Sequence, residues 1–267
     1  DSLTYDITAW SLPFAYGLDA LASEAAVQVD ASATPPWIGT PLGIQAGAYA
    51  HIGDWDSMKD ARFLSDLIQN GIRLRRSERP FVLVGASWGA GSLIISRGDN
   101  DHLPGFEQTL GTLVEKHRKP LLPASTGMVE SGKDFGSRYV GMIPAAKVAV
   151  LSGKPTSTLR FGEVWYFFEQ QLQYPVSVLD ASYFDRIDLG DYDVLVLPDG
   201  WGYRSFLNES RKTKIKDWVS SGGRLIAMGG ALGSLGGDDG FSIARKELEK
   251  EGGQDDATRG HAGTNRE

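Results

Sequence analysis

Gly85-Ala86-Ser87-Trp88-Gly89 fits G-x-S-x-G, the pattern that holds a serine nucleophile on a strand-to-helix turn. That chemistry needs a buried strand before the serine, a helix after it, and an acid and a histidine further along the chain. Residues 81–84 could supply the strand, but residues 91–96 continue as a second strand instead of a helix. His102 and His117 follow Ser87 too closely to lie beyond further strands of a hydrolase sheet, so Ser87 is expected in a hairpin loop. The four histidines, His51, His102, His117 and His261, share no metal-ligand spacing and are expected on the surface or in loops. With no cysteine, disulfides, thiolate metal sites and thiol nucleophiles are all removed. Among seven tryptophans, Trp165 shares a helix with Phe161, Phe168 and Leu172 and is expected in the core. Trp201 follows a strand and suits either packing or ligand contact.

The elements that must position these residues fall into two groups. The 267-residue chain is 41% hydrophobic and 23% charged, an ordinary globular composition. Twenty-seven basic against 34 acidic residues, a net charge of −7, argue against a nucleic-acid binder, which needs a concentrated basic face. Arg73, Arg75 and Arg76 read as a solvated face. No apolar run approaches the roughly 20 residues of a membrane span. The opening stretch, with no basic segment leading into an apolar one, reads as part of something longer. Residues 1–47, rich in Ala, Gly and Pro, are expected to form a connector. Residues 48–143 read as a small α+β domain of order β-α-β-β-α-β. Its strands are placed at 48–52, 72–76, 92–96 and 120–122, and its helices at 57–70 and 105–116. Residues 144–250 alternate strands at 147–151, 176–180, 193–198 and 224–228 with helices at 161–172 and 209–220. Short loops between them predict a parallel sheet with right-handed crossovers. Residues 251–267 are expected to be disordered.

An open parallel sheet binds ligands beyond the carboxyl ends of its strands. Residues 152–158, 198–202 and 228–231 should converge there, which makes Asp199, Trp201, Gly229 and Gly230 candidate crevice residues, with Glu163, opening the helix after the first strand, as a further candidate. Glu163 is placed in the first turn of its helix, where a carboxylate favours the dipole or faces the crevice. The backbone amides of the glycine-rich turn at 229–230 could hold an anion. A hydrolase reading would take Ser234 as nucleophile, but the sequence offers no base near it.

The strings KVAVLSG, YDVLVLPDGWG and SGGRLIAMGGALGSL resemble the first, third and fourth strand–loop units of class I glutamine-amidotransferase-like domains. The resemblance implies a flavodoxin-like fold in which Gly229 stands where active members carry the nucleophilic cysteine, with Gly230 the near alternative. A later histidine exists only as His261. More widely, YDITAWSLPFAYGLDA, RFLSDLIQNGIRLRRSERPF, GSLIISRGDN, DFGSRYVGMIPAAKVAVLSG and LRFGEVWYFFEQQLQYPVSVLD resemble the C-terminal accessory region of bacterial zinc carboxypeptidase-like proteins of the carboxypeptidase A type. This covers most of residues 5–235. It implies a metallopeptidase domain upstream in the same polypeptide as partner and a peptide as substrate. It further implies a periplasmic or extracellular location, and zinc held in that upstream domain by an H-x-x-E motif and a later histidine. No zinc ligand or other cofactor site is carried onto this chain. An apolar patch around Trp10, Leu12 and Phe14 would be expected where the partner packs.

Overall fold

A computed structural model describes residues 21, 23–26, 43–237 and 240–244. The apolar patch expected at Trp10, Leu12 and Phe14, residues 251–267, His261 and nearly all of the expected connector lie outside the described residues.

The first group forms around a five-stranded antiparallel sheet. Its elements are β1 (Ala50–Gly53), α1 (Met58–Gln69), β2 (Arg75–Ser77), β3 (Phe81–Leu83), β4 (Ala86–Trp88), β5 (Leu93–Ser96), α2 (Phe106–His117), β6 (Leu122–Ala124) and β7 (Val140–Met142). The sheet order is β6-β1-β5-β2-β7, and β3 pairs with β4 as a separate hairpin. Side chains alternate across β5, so Leu93 and Ile95 face one side and Ile94 the other. On one face Phe63 and Leu67 of α1 and Leu110 and Val114 of α2 bury Leu74, Leu93 and Ile95. On the other face Phe81, Trp88, Phe135 and Val140 cover Ala50, Ile52 and Ile94. Gly71, at φ +76°, ends α1 as a left-handed residue after the helix does. The expected β-α-β-β-α-β order omitted β7, which pairs with β2; the hairpin expected around Ser87 is present as β3–β4, but Ser87 lies on its second strand instead of in its loop.

Several side chains sit differently from expectation. His51 is not at the surface: it lies on β1 at 2% exposure, where burial holds its imidazole below the usual range. Its Nε2 accepts from the Gln45 amide, which only a neutral ring can do. His117 belongs to α2 and pairs with the Asp66 carboxylate at 2.6 Å, while His102 is exposed. Arg75 is more than a solvated charge, because its Nε and Nη2 donate to the two oxygens of Asp99, both at 2.7 Å.

The second group comprises β8 (Val148–Ser152), α3 (Thr158–Tyr166), β9 (Val176–Asp180), β10 (Val194–Leu197), α4 (Tyr203–Phe206), α5 (Glu209–Ser220), β11 (Arg224–Ala227) and α6 (Gly230–Leu235). The four strands are all parallel, in the order β11-β10-β8-β9. The chain is therefore mixed α/β, with a parallel four-stranded sheet and a separate antiparallel one. Apolar runs such as Val148-Ala149-Val150-Leu151 occur because helices cover both faces. Ala149, Leu151, Leu195 and Leu197 pack under Ile215 and Trp218 of α5, Tyr203 and Phe206 of α4, and Ala231 and Leu235 of α6. Val148, Val150 and Val196 pack under Val164 of α3 on the opposite face. α3 starts at Thr158 instead of 161 and continues as a π-helical turn over Phe167–Leu172. Trp165 is 37% exposed, so it is not a core residue: Val164, with Phe161 and Phe168, fills the inward stripe instead.

Candidate functional site

The sheet order reverses between β8 and β10, so the loops leaving these two strands open a crevice at their carboxyl ends. The β8 loop runs through a cis Lys154–Pro155 bond to Ser157, which precedes α3. The β10 loop carries Asp199, Gly200, Trp201 and Gly202. These two loops are laced together. Thr156 and Gly200 form an isolated antiparallel bridge, and the Ser157 amide donates to the Asp199 carbonyl at 3.0 Å. The buried Tyr203 hydroxyl has one proton and donates it to the Pro198 carbonyl at 2.8 Å. The Thr156 hydroxyl, 2.8 Å away, must then be the donor to Tyr203. Burial pushes the Tyr203 phenol up to about 12, so it stays neutral. Gly200 is required at this seam, since a Cβ there would overlap the Pro155 carbonyl.

The third loop has the shape of a nucleophile elbow. β11 ends, Gly229 turns at φ +49° and ψ −117°, and α6 begins at Gly230. A strand, one strained residue and a helix is the arrangement that exposes a nucleophile in hydrolases. Here the strained position has no side chain. The space a side chain would enter is held by Asp199, whose carboxylate a Cβ on Gly229 would overlap. Asp199 Oδ1 accepts from the Gly230 amide at 2.6 Å and the Gly200 amide at 2.8 Å. The Gly230 amide, Gly200 amide and nearby Arg160 charge hold that carboxyl below the usual carboxylate range. A Cβ on Gly230 would overlap the Gly200 carbonyl, so the elbow and the β10 loop meet backbone to backbone.

The anion expected at the glycine-rich turn is thus supplied by the chain itself, as Asp199. Asp199, Gly229 and Gly230 come together as expected, and Glu163 does not join them directly. It lies in the second turn of α3, not the first, and both its oxygens accept from Arg160 Nη1, at 2.7 and 2.9 Å. Arg160 was not foreseen in the sequence, yet its charge reaches both carboxylates. Trp201 is 91% exposed and packs on nothing of the core; it stands over an open cleft of about 600 Å³ with Lys154, Pro155, Thr156 and Phe206.

Neither of the other nucleophile candidates sits in a catalytic arrangement. Ser87 lies on β4, opposite Val82, and the two-residue turn Val84–Gly85 has positive φ at both positions, as a type I′ hairpin requires. Ser234 Oγ donates to the Gly230 carbonyl one helical turn back, at 2.8 Å, with no base in contact. Among the described residues no group of histidines, aspartates and glutamates is arranged to hold a metal ion, and no helix is long and apolar enough to cross a membrane. No protein-family model matches the chain, and no curated protein is significantly similar to it.

Proposed function

We propose that this chain is a non-catalytic accessory region of a zinc carboxypeptidase-like peptidase. In this reading its second half is a flavodoxin-like, class I glutamine-amidotransferase-like domain whose nucleophile position is empty of chemistry. The observation that carries the reading is the elbow at Gly229: the backbone shape of a reactive turn, with glycine at its apex and the Asp199 carboxylate in the adjoining space. Covalent catalysis needs an activated nucleophile beside an oriented base, and this turn supplies neither. The strand order, equivalent to 2-1-3-4 in chain order within the parallel sheet, agrees with a flavodoxin-like arrangement. The role left to the domain is packing on a metallopeptidase domain of the same polypeptide, outside the cytoplasm, where it shapes access of a peptide substrate. Zinc in this scheme belongs to that upstream domain.

The test is release of C-terminal residues from peptides, with zinc present, by the longer polypeptide with and without residues 1–267. Altered turnover or substrate choice on removal, with the isolated region inert, is the expected result. Hydrolysis by the isolated region would defeat the reading.

A second reading draws on Trp201. Its aromatic ring lies almost wholly in solvent beside a cleft and is free to contact a ligand there. On that reading the domain is a small-molecule or peptide-binding module using the crevice, and ligands would raise its thermal midpoint. A Trp201→Ala variant that keeps the same ligand-induced shift would remove this alternative.

A further inference from the structure

We propose that a second groove, away from the elbow, binds an aromatic carboxylate. The inference stands independently of the accessory reading. The groove encloses about 370 Å³ where α1, β2 and β7 face the start of β11. Ligand sites span about 300–1,000 Å³, so this one suits a body the size of one or two amino-acid residues.

Its walls are apolar and open. Trp55 and Met142 are each 42% exposed on it, and Ile143 and Pro144 continue the same wall. Gly91, at φ +97°, brings backbone against the Trp55 indole, which lies 3.8 Å from where a Cβ would be. An indole face and a thioether favour an aromatic partner over an aliphatic one. The charged lining comes from two arginines, Arg224 and Arg76, on the same groove. Arg224 opens β11 on the side of the sheet that α3 covers, in register with Val194, and makes no ion pair among the described residues. Arg76 holds Glu78 only at 3.3 Å, with both side chains largely in water, a pair that an incoming carboxylate can displace. Guanidinium forks match carboxylates in a bidentate way. In a chain of net charge −7 the general field does not attract anions, so two arginines converging on one apolar groove carry the specificity. With Glu78 beside Arg76, the groove carries one net positive charge, which suits one carboxylate; a polyphosphate would leave charge unmatched.

Isothermal titration calorimetry with 3-phenylpropionate and its uncharged amide tests this. The acid should bind, and the amide should bind about tenfold more weakly or not at all, the value of one charge-assisted contact. Arg224→Gln should weaken the acid by a similar factor while leaving the amide unchanged, and Trp55→Ala should weaken both. Circular dichroism of each variant establishes that it is folded, and Arg224→Lys, which keeps the charge but loses the fork, should fall between wild type and Arg224→Gln. A peptide ending in phenylalanine with a free carboxylate separates the sources: equal affinity identifies a chain terminus, exclusion identifies a free acid. No heat from the acid, equal affinity for acid and amide, or loss of binding in Lys154→Gln but not in Arg224→Gln would overturn the assignment.

Discussion

At the residue scale the elbow turns on two positions. Gly229 adopts a left-handed φ that costs any other residue, and the volume beyond its Cα belongs to Asp199. Gly229→Cys should therefore lose on the order of 2–4 kcal/mol of stability in urea unfolding, from strain and overlap together. Pairing it with Asp199→Ala should recover part of that loss, and a double variant no more stable than the single one would refute the overlap. A second prediction concerns Asp99. The bidentate hydrogen bond from Arg75 holds its carboxyl below the ordinary range. A depressed folded value contributes stability that is complete above the unfolded value of about 3.9 and lost as pH falls through the folded one. Asp99→Asn should cost about 1 kcal/mol at neutral pH, scaled down from a fully buried charged pair because both groups keep some solvent. The cost should vanish in strong acid, so a difference from wild type that is independent of pH would count against the pair.

At the element scale Trp218 is the largest side chain that α5 packs on the sheet, beside Ile215. Trp218 fills the face over Leu195 and Leu197, donates from Nε1 to the Tyr192 carbonyl at 3.1 Å, and leaves room only for glycine at 223. Trp218→Ala should cost about 3–5 kcal/mol, and Trp218→Phe about 1 kcal/mol for the lost hydrogen bond, read as a shift in denaturant midpoint. Equal losses would mean that the packing contributes nothing. The elements themselves were unequally legible. β8 and β10 announce themselves because strands buried on both faces need unbroken apolar runs. β7 is three residues, Val140-Gly141-Met142, and exists through its pairing with β2, which no local pattern encodes. α3 starts at Thr158, three residues before its inward apolar stripe begins at Phe161, and its first turn carries no apolar pattern to mark it. In the candidate site, Asp199 and the two glycines could be placed at the crevice from strand ends alone. That Asp199 reaches across to the Gly230 amide, and that Arg160 rather than the crevice engages Glu163, depends on contacts between loops that spacing does not reveal.

At the scale of the whole molecule, the antiparallel and parallel groups are joined through α1 and the π-helical turn. The last carbonyls of a helix lack partners within it. Here Arg62 Nη1 donates to the Gln170 and Gln171 carbonyls at 3.2 and 2.8 Å, and Gln69 Nε2 donates to the Gln173 carbonyl. Arg62→Ala combined with Gln69→Ala should uncouple the groups. Hydrogen exchange of the β1 and β5 amides should then diverge from that of β8 and β10, whereas in wild type the two should coincide. Protection that remains coincident would show that this seam does not transmit stability. The elbow, finally, imposes an order on sequence change. Because the Asp199 carboxylate fills the space beside residue 229, a mutation that adds a side chain there costs more while residue 199 is aspartate than after it has become smaller. The two positions set an order for descent: a lineage can drift freely while 229 stays glycine, but a route toward a reactive residue at the apex costs least when it passes through 199 first.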